Sequence, residues 1–168
     1  KGGRDGSVRT DPHVAPREMH QMHLYPFKKV IQTAHTMGVM SSYNDWDGVP
    51  VSACYYFLTQ LLRQEFGFDG YVVSDSDAVE YEYNKHLVAE TYEEAVRMVL
   101  EAGLNVRTTF AAPDIFILPA RKLVKEGRLS MKGIDERVAD VLRVKFRLGL
   151  FDQPFVADPK AADKIVGA

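Results

Sequence analysis

The stretch that decides the fold runs from Ser41 to Val79, SSYNDWDGVPVSACYYFLTQLLRQEFGFDGYVVSDSDAV. It holds one complete alternation of element types. A polar cluster, Ser41 to Gly48, closes the short apolar run of Val39-Met40. Ser52 stands where a side-chain oxygen could cap a helix. Phe57, Leu58, Leu61 and Leu62 then recur on one helical face. Gly67 to Gly70 reads as a turn. Tyr71-Val72-Val73 is a short apolar strand without alternation, as expected of a strand covered on both faces, and it ends at Ser74-Asp75.

The same alternation extends both ways. Upstream, Lys1 to Pro16 is rich in glycine, proline and charge and reads as a loop. Pro16 suits a first helical position. Met19, Met22, Phe27, Val30, Ile31 and Ala34 carry an apolar stripe that Pro26 interrupts, which predicts a kink or two abutting helices. Gly38 is the expected stop. Downstream, Thr91-Tyr92-Glu93-Glu94 has the form of a capping box opening a helix with the stripe Ala95, Met98, Val99 and Ala102, closed by Gly103. Leu104 to Val106 is a third short apolar run. Asp114 to Glu126 reads as helix despite Pro119. Ser130 can cap a last helix carrying Ile134, Val138, Val141, Leu142 and Phe146, with Gly149 beyond it. Residues 151–168 lose the pattern and read as a linker.

About three parallel strands among four or five helices predict an α/β fold. A complete (β/α)8 barrel takes roughly 250 residues, against 168 here. The pattern therefore fits part of a TIM-like barrel or a small open sheet, and periodicity alone does not choose between them. With 46% hydrophobic and 26% charged residues, the composition is that of a globular protein rather than a disordered one. A net charge of -2 gives no electrostatic case for nucleic acid or an anionic membrane surface. No apolar run approaches the roughly 20 residues of a membrane span. One cysteine, Cys54, can form neither an intrachain disulfide nor a cysteine-rich metal site. Lacking an adjacent histidine, it reads as a small buried residue. His20-x-x-His23 has metal-compatible spacing but no evident third ligand, and no metal or other cofactor is expected. Gly2-Gly3-Arg4-Asp5-Gly6 lacks the preceding strand that a phosphate loop requires.

Reactive side chains of parallel α/β folds gather at the carboxyl ends of strands. Two such ends are polar here, Met40 to Gly48 and Val73 to Asp77. A carboxylate there can act as nucleophile or base, a tyrosine can donate a hydrogen bond, and a tryptophan can form an apolar platform for a sugar. From spacing alone the ordinary reading is favoured, in which Asp75 and Asp77 are helix caps or turn formers.

Residues 41–79 resemble the core signature of glycoside hydrolase family 3, the β-glucosidases and β-xylosidases: a strand ending in S-Y-N, an N-G-x-P-like turn, a helix with L-L-R-x-E-x-G-F-x-G, and a strand ending in V-S-D. Leu24 to Phe27, Glu101 to Asn105, and Gly127 to Phe151 resemble further stretches of the family in the same order. The resemblance implies that 1–150 is the C-terminal half of a TIM-like catalytic barrel and 151–168 a linker towards a second α/β domain. It implies that Asp75 is the nucleophile of a retaining β-glycosidase, with Tyr43, Met40 and Arg9 binding substrate. The substrate would be an oligosaccharide or β-glycoside with terminal β-linked glucose or xylose. The family's Lys-His pair is expected upstream of residue 1 and the acid/base in the second domain. The chain alone is then expected to be inactive, and its order to depend on the missing segments or a partner chain. Ser76 replaces the usual tryptophan, and Ser-Asp-x-Asp resembles the β-xylosidase and arabinosidase side of the family. Asn105 stands where the family commonly has aspartate, and Thr108-Thr109-Phe110 departs from its usual sequence. Bacterial members are often periplasmic or secreted. The competing readings are a non-catalytic α/β module and, without a phosphate loop to support it, a nucleotide-binding domain.

Overall fold

The computed structural model describes residues 10–156 and 158–166. After the short turns Pro16–Glu18 and Met19–His23 come helix α1 (Tyr25–Ala34) and strand β1 (Gly38–Met40). A two-residue hairpin, β2 (Asp45–Trp46) and β3 (Val49–Pro50), leads to helix α2 (Tyr56–Glu65), wound in π geometry, and strand β4 (Tyr71–Val73). Helices α3 (Ala78–Asn84), α4 (Tyr92–Ala102), α5 (Asp114–Lys125) and α6 (Met131–Arg147) follow. The break at Leu24, with Pro26 in the first turn of α1, is the pair of abutting helices that the sequence predicts.

β1 and β4 pair in parallel, Gly38 with Tyr71 and Met40 with Val73. Val73 also bridges Val106 in parallel, so the third apolar run takes the next place in line. Strand neighbours follow chain order with helices between them, the topology of a (β/α)8 barrel. Val72, at 0% exposure, lies at the centre of the core with Val79, Val96, Val99, Leu104 and Leu123. Burying each such side chain contributes about 1.5–3 kcal/mol before entropy is counted.

Two local expectations are corrected. Ser52 caps no helix: it lies in a short 3-10 turn, Val51–Ala53, and its buried hydroxyl meets the Ser41 hydroxyl at 2.8 Å. Helix α1 is stopped by His35 in the left-handed conformation (φ 49°) rather than by Gly38. Gly38 instead opens β1, where a Cβ would come within 3.0 Å of the Tyr71 ring, a tight contact. The capping expectations for Thr91 and Ser130 hold: each side chain accepts a backbone N–H three residues on, from Glu94 at 3.1 Å and Gly133 at 3.0 Å. The β2–β3 hairpin was not foreseen, although its Asp47-Gly48 turn, both residues at positive φ, has a recognisable two-residue signature. Helix α3 was not foreseen either.

Candidate active site

Two loops leave the same edge of the sheet. Strand pairing continues past β1, where the Ser41 N–H donates to the Val73 carbonyl at 2.9 Å. Past β4, the Ser74 N–H donates to the Val106 carbonyl at 2.8 Å. Tyr43 and Asp75 therefore emerge two residues beyond these bonded positions or closer, from the carboxyl ends of adjacent parallel strands. Both are half-buried.

The Tyr43 loop is pinned from inside. The Ser42 hydroxyl donates to Asn44 Oδ1 at 2.7 Å, and buried Asn44 donates to the Thr10 carbonyl. The Trp46 indole N–H reaches the Val14 carbonyl at 2.8 Å, and its ring stacks on Tyr56. On the other side, Asp75 Oδ1 accepts the Ser76 N–H at 2.8 Å, and the Asp75 carbonyl accepts the Ala78 N–H at 3.1 Å. Asp77 sits at φ 60° as the residue before α3. Its carboxylate accepts a 2.7 Å hydrogen bond from Thr109, and its N–H donates to the Thr108 carbonyl. Arg107 pairs with Glu80 and donates to the Thr109 hydroxyl at 3.1 Å. These bonds brace α3 against the loop that follows the third strand. Asp75 and Asp77 thus do take part in turn geometry, as their spacing suggests. Of the two, Asp75 lies directly after the Ser74 position that still pairs with the third strand, and Asp77 is turned towards Thr109.

The other site residues fall differently. Met40 ends β1 and is 53% exposed. It lines a cavity of about 450 Å³ with Phe27, Trp46, Ser42 and Asp45, which neither Tyr43 nor Asp75 lines. Arg9 lies outside the described residues. His20 and His23 take separate partners, the Tyr56 hydroxyl at 2.8 Å and Glu18 at 3.4 Å. Among the described residues no three histidine, cysteine or acidic side chains are grouped as a metal site would require. Cys54 is buried, and burial pushes its thiol pKa up, away from a nucleophilic role. No helix among the described residues is long and apolar enough to cross a membrane.

Two residues gain a place that the sequence did not reveal. Asn105 joins three elements: its Oδ1 accepts from the Val72 N–H at 2.7 Å and from Arg63 at 2.8 Å. Its Nδ2 donates to the Arg137 carbonyl and to Asp140, both at 2.9 Å. His86, one of several scattered histidines in the sequence, reaches the Tyr43 carbonyl at 2.9 Å. Only the fold brings those partners together, so no local motif could have announced either role.

Sequential parallel strands with polar side chains at their carboxyl ends fit a segment of a (β/α)8 barrel. The chain belongs to glycosyl hydrolase family 3, whose N terminal domain matches residues 2–144. It is 39% identical over 143 residues to a Formosa agariphila protein assigned as a β-xylosidase, covering 85% of this chain and 18% of that protein. It is 33% identical to a periplasmic β-glucosidase of Salmonella typhimurium, covering 83% of this chain and 18% of that enzyme. A solved β-glucosidase from Erythrobacter marinus superposes with a TM-score of 0.90 at 34% identity, covering 99% of this chain and 22% of that structure. The chain thus spans about a fifth of the length of the curated relatives it matches.

Proposed function

We propose that this chain carries the nucleophile of a retaining β-glycosidase. The supporting observation is the departure of Asp75 and Tyr43 from neighbouring strand ends held in register, Met40 against Val73, in a chain of this family. An Asp75 carboxylate oxygen attacks the anomeric carbon while the glycosidic C–O bond breaks. The leaving oxygen takes a proton from an acid that this chain does not supply. Water, deprotonated by the same group, then attacks the glycosyl-enzyme ester and restores the carboxylate. In this reading the Tyr43 hydroxyl hydrogen-bonds the carboxylate or the sugar; the family resemblance also assigns substrate binding to Met40 and Arg9, although Met40 lines a separate cavity beside β1.

In this reading residues 1–150 are the second half of the catalytic barrel and 151–168 lead to a further α/β domain. The remaining barrel and that domain cover the apolar faces left here and bring the acid/base. The substrates are β-glycosides or oligosaccharides with a terminal glucose or xylose, the sugars named for the relatives above. The test is Asp75→Asn in the enzyme that carries this chain. It preserves shape and removes the nucleophile, so turnover of an aryl β-glycoside should fall by several orders of magnitude. A variant with undiminished turnover would refute the assignment.

A further inference from the structure

We propose that His86 is a positioning residue that ties the Tyr43 loop to the Asp75 helix, a role that rests on the glycosidase reading above. The two loops descend from separate strands, and nothing in the strand pairing itself fixes how Tyr43 lies relative to Asp75. A closed circuit of contacts does so. Asp75 and Asp77 start α3, and Tyr81 on α3 lays its ring 5.3 Å from the Tyr43 ring. The Tyr81 carbonyl accepts the His86 N–H at 2.8 Å, which turns the chain back towards β1. The imidazole then reaches across to the Tyr43 carbonyl at 2.9 Å.

A carbonyl can only accept, so His86 Nε2 carries the proton and donates it. The other ring nitrogen stands 4.0 Å from Asp45 Oδ1 on the adjoining hairpin. His86 therefore touches the residues on either side of Asn44, whose own side chain is pinned from the opposite face by Ser42 and Thr10. The ring is 9% exposed, which makes it a packed strut. Burial holds its pKa below the usual range, against the pull of the Tyr43 carbonyl and Asp45 and with the repulsion of Lys85. Removing the donor frees the turn between Ser42 and Asp45 to shift, and Tyr43 moves with it. A displacement near 1 Å at such a group costs about 100-fold in rate.

Three variants of the enzyme that carries this chain test this: His86→Phe, which keeps the ring volume without the donor, His86→Gln, whose amide N–H can reach the same carbonyl, and Tyr43→Ala. On an aryl β-glycoside, His86→Phe should lower kcat about 10- to 100-fold with little change in KM, and His86→Gln should recover most of that loss. In the Tyr43→Ala background, which keeps the carbonyl but has no ring left to position, His86→Phe should cost almost nothing more. An active wild type whose kcat is untouched by His86→Phe overturns the proposal while leaving the glycosidase reading intact. So does a loss that persists in full beside Tyr43→Ala, which marks a general structural effect. A wild type with no turnover on any β-glycoside overturns the functional reading and this proposal together.

Discussion

Glu82 on α3 is 1% exposed, and its Oε2 has no hydrogen-bond partner among the described residues. Burial pushes its carboxyl pKa up to about 8, against the pull of Lys85. Its charged form is disfavoured in the fold but not in the unfolded chain, where it ionises near pH 4.5. The contribution to stability is therefore complete below about pH 4.5 and is lost as the pH rises towards 8, by about 1.4 kcal/mol per unit. Glu82→Gln keeps the shape without the ionisation. It should stabilise the protein by about 3 kcal/mol at pH 7, with a vanishing gain near pH 4.5. Urea unfolding midpoints of the two proteins across pH 4.5 to 8 measure the difference, and parallel curves would show that Glu82 is not held neutral. The sequence offered no hint of this: Glu82 looks like an ordinary helix-surface glutamate until the packing of α3 on α4 buries it.

Among elements, the junction of α2, β4, the third strand and α6 depends on Asn105. All four hydrogen-bonding positions of its amide are used, two accepting and two donating. Arg63 and Asp140, side chains 13% and 11% exposed, pair at 3.0 Å beside it. An aspartate, which the family resemblance leads one to expect at this position, would face the Asp140 carboxylate with both donors gone. Asn105→Asp alone should therefore destabilise the protein by about 2–4 kcal/mol. Combined with Asp140→Asn it should regain much of that loss, because one donor and one carboxylate are restored next to Arg63. Additive losses in that double-mutant cycle would disprove the hub. The elements themselves were largely legible. Thr91 and Ser130 announce their helices by local capping chemistry, and Pro26 announces its break. Ser52 misled because its hydroxyl is used across the fold, by Ser41, rather than by its own helix. Gly38 misled because a glycine that opens a strand close to Tyr71 looks in sequence like one that ends a helix.

For the whole molecule, the order of three parallel strands could be read from three apolar runs, and the family from the motifs around two of them. Chain length and periodicity left a small open sheet possible. The observed pairing of β1 with β4, continued by Val106, agrees with the barrel, and so does superposition on a barrel glycosidase over 99% of the chain. Two apolar cavities flank this segment, about 450 Å³ beside β1 and about 690 Å³ between α4, α5 and α6. Phe27, Met40, Val138 and Leu142 are exposed around them. The contacts between the Tyr43 loop and α3 were not legible, since they come from His86 and Tyr81, far from Tyr43 in sequence.

The central claim is that Asp75 forms the glycosyl-enzyme, and trapping that species tests it most directly. A 2-deoxy-2-fluoro aryl β-glycoside slows the second step more than the first, so the covalent adduct accumulates. After inactivation of the enzyme that carries this chain and proteolysis, mass spectrometry should find the added sugar on the peptide spanning residues 71–79, at Asp75. A label on a peptide lacking those residues would contradict the account.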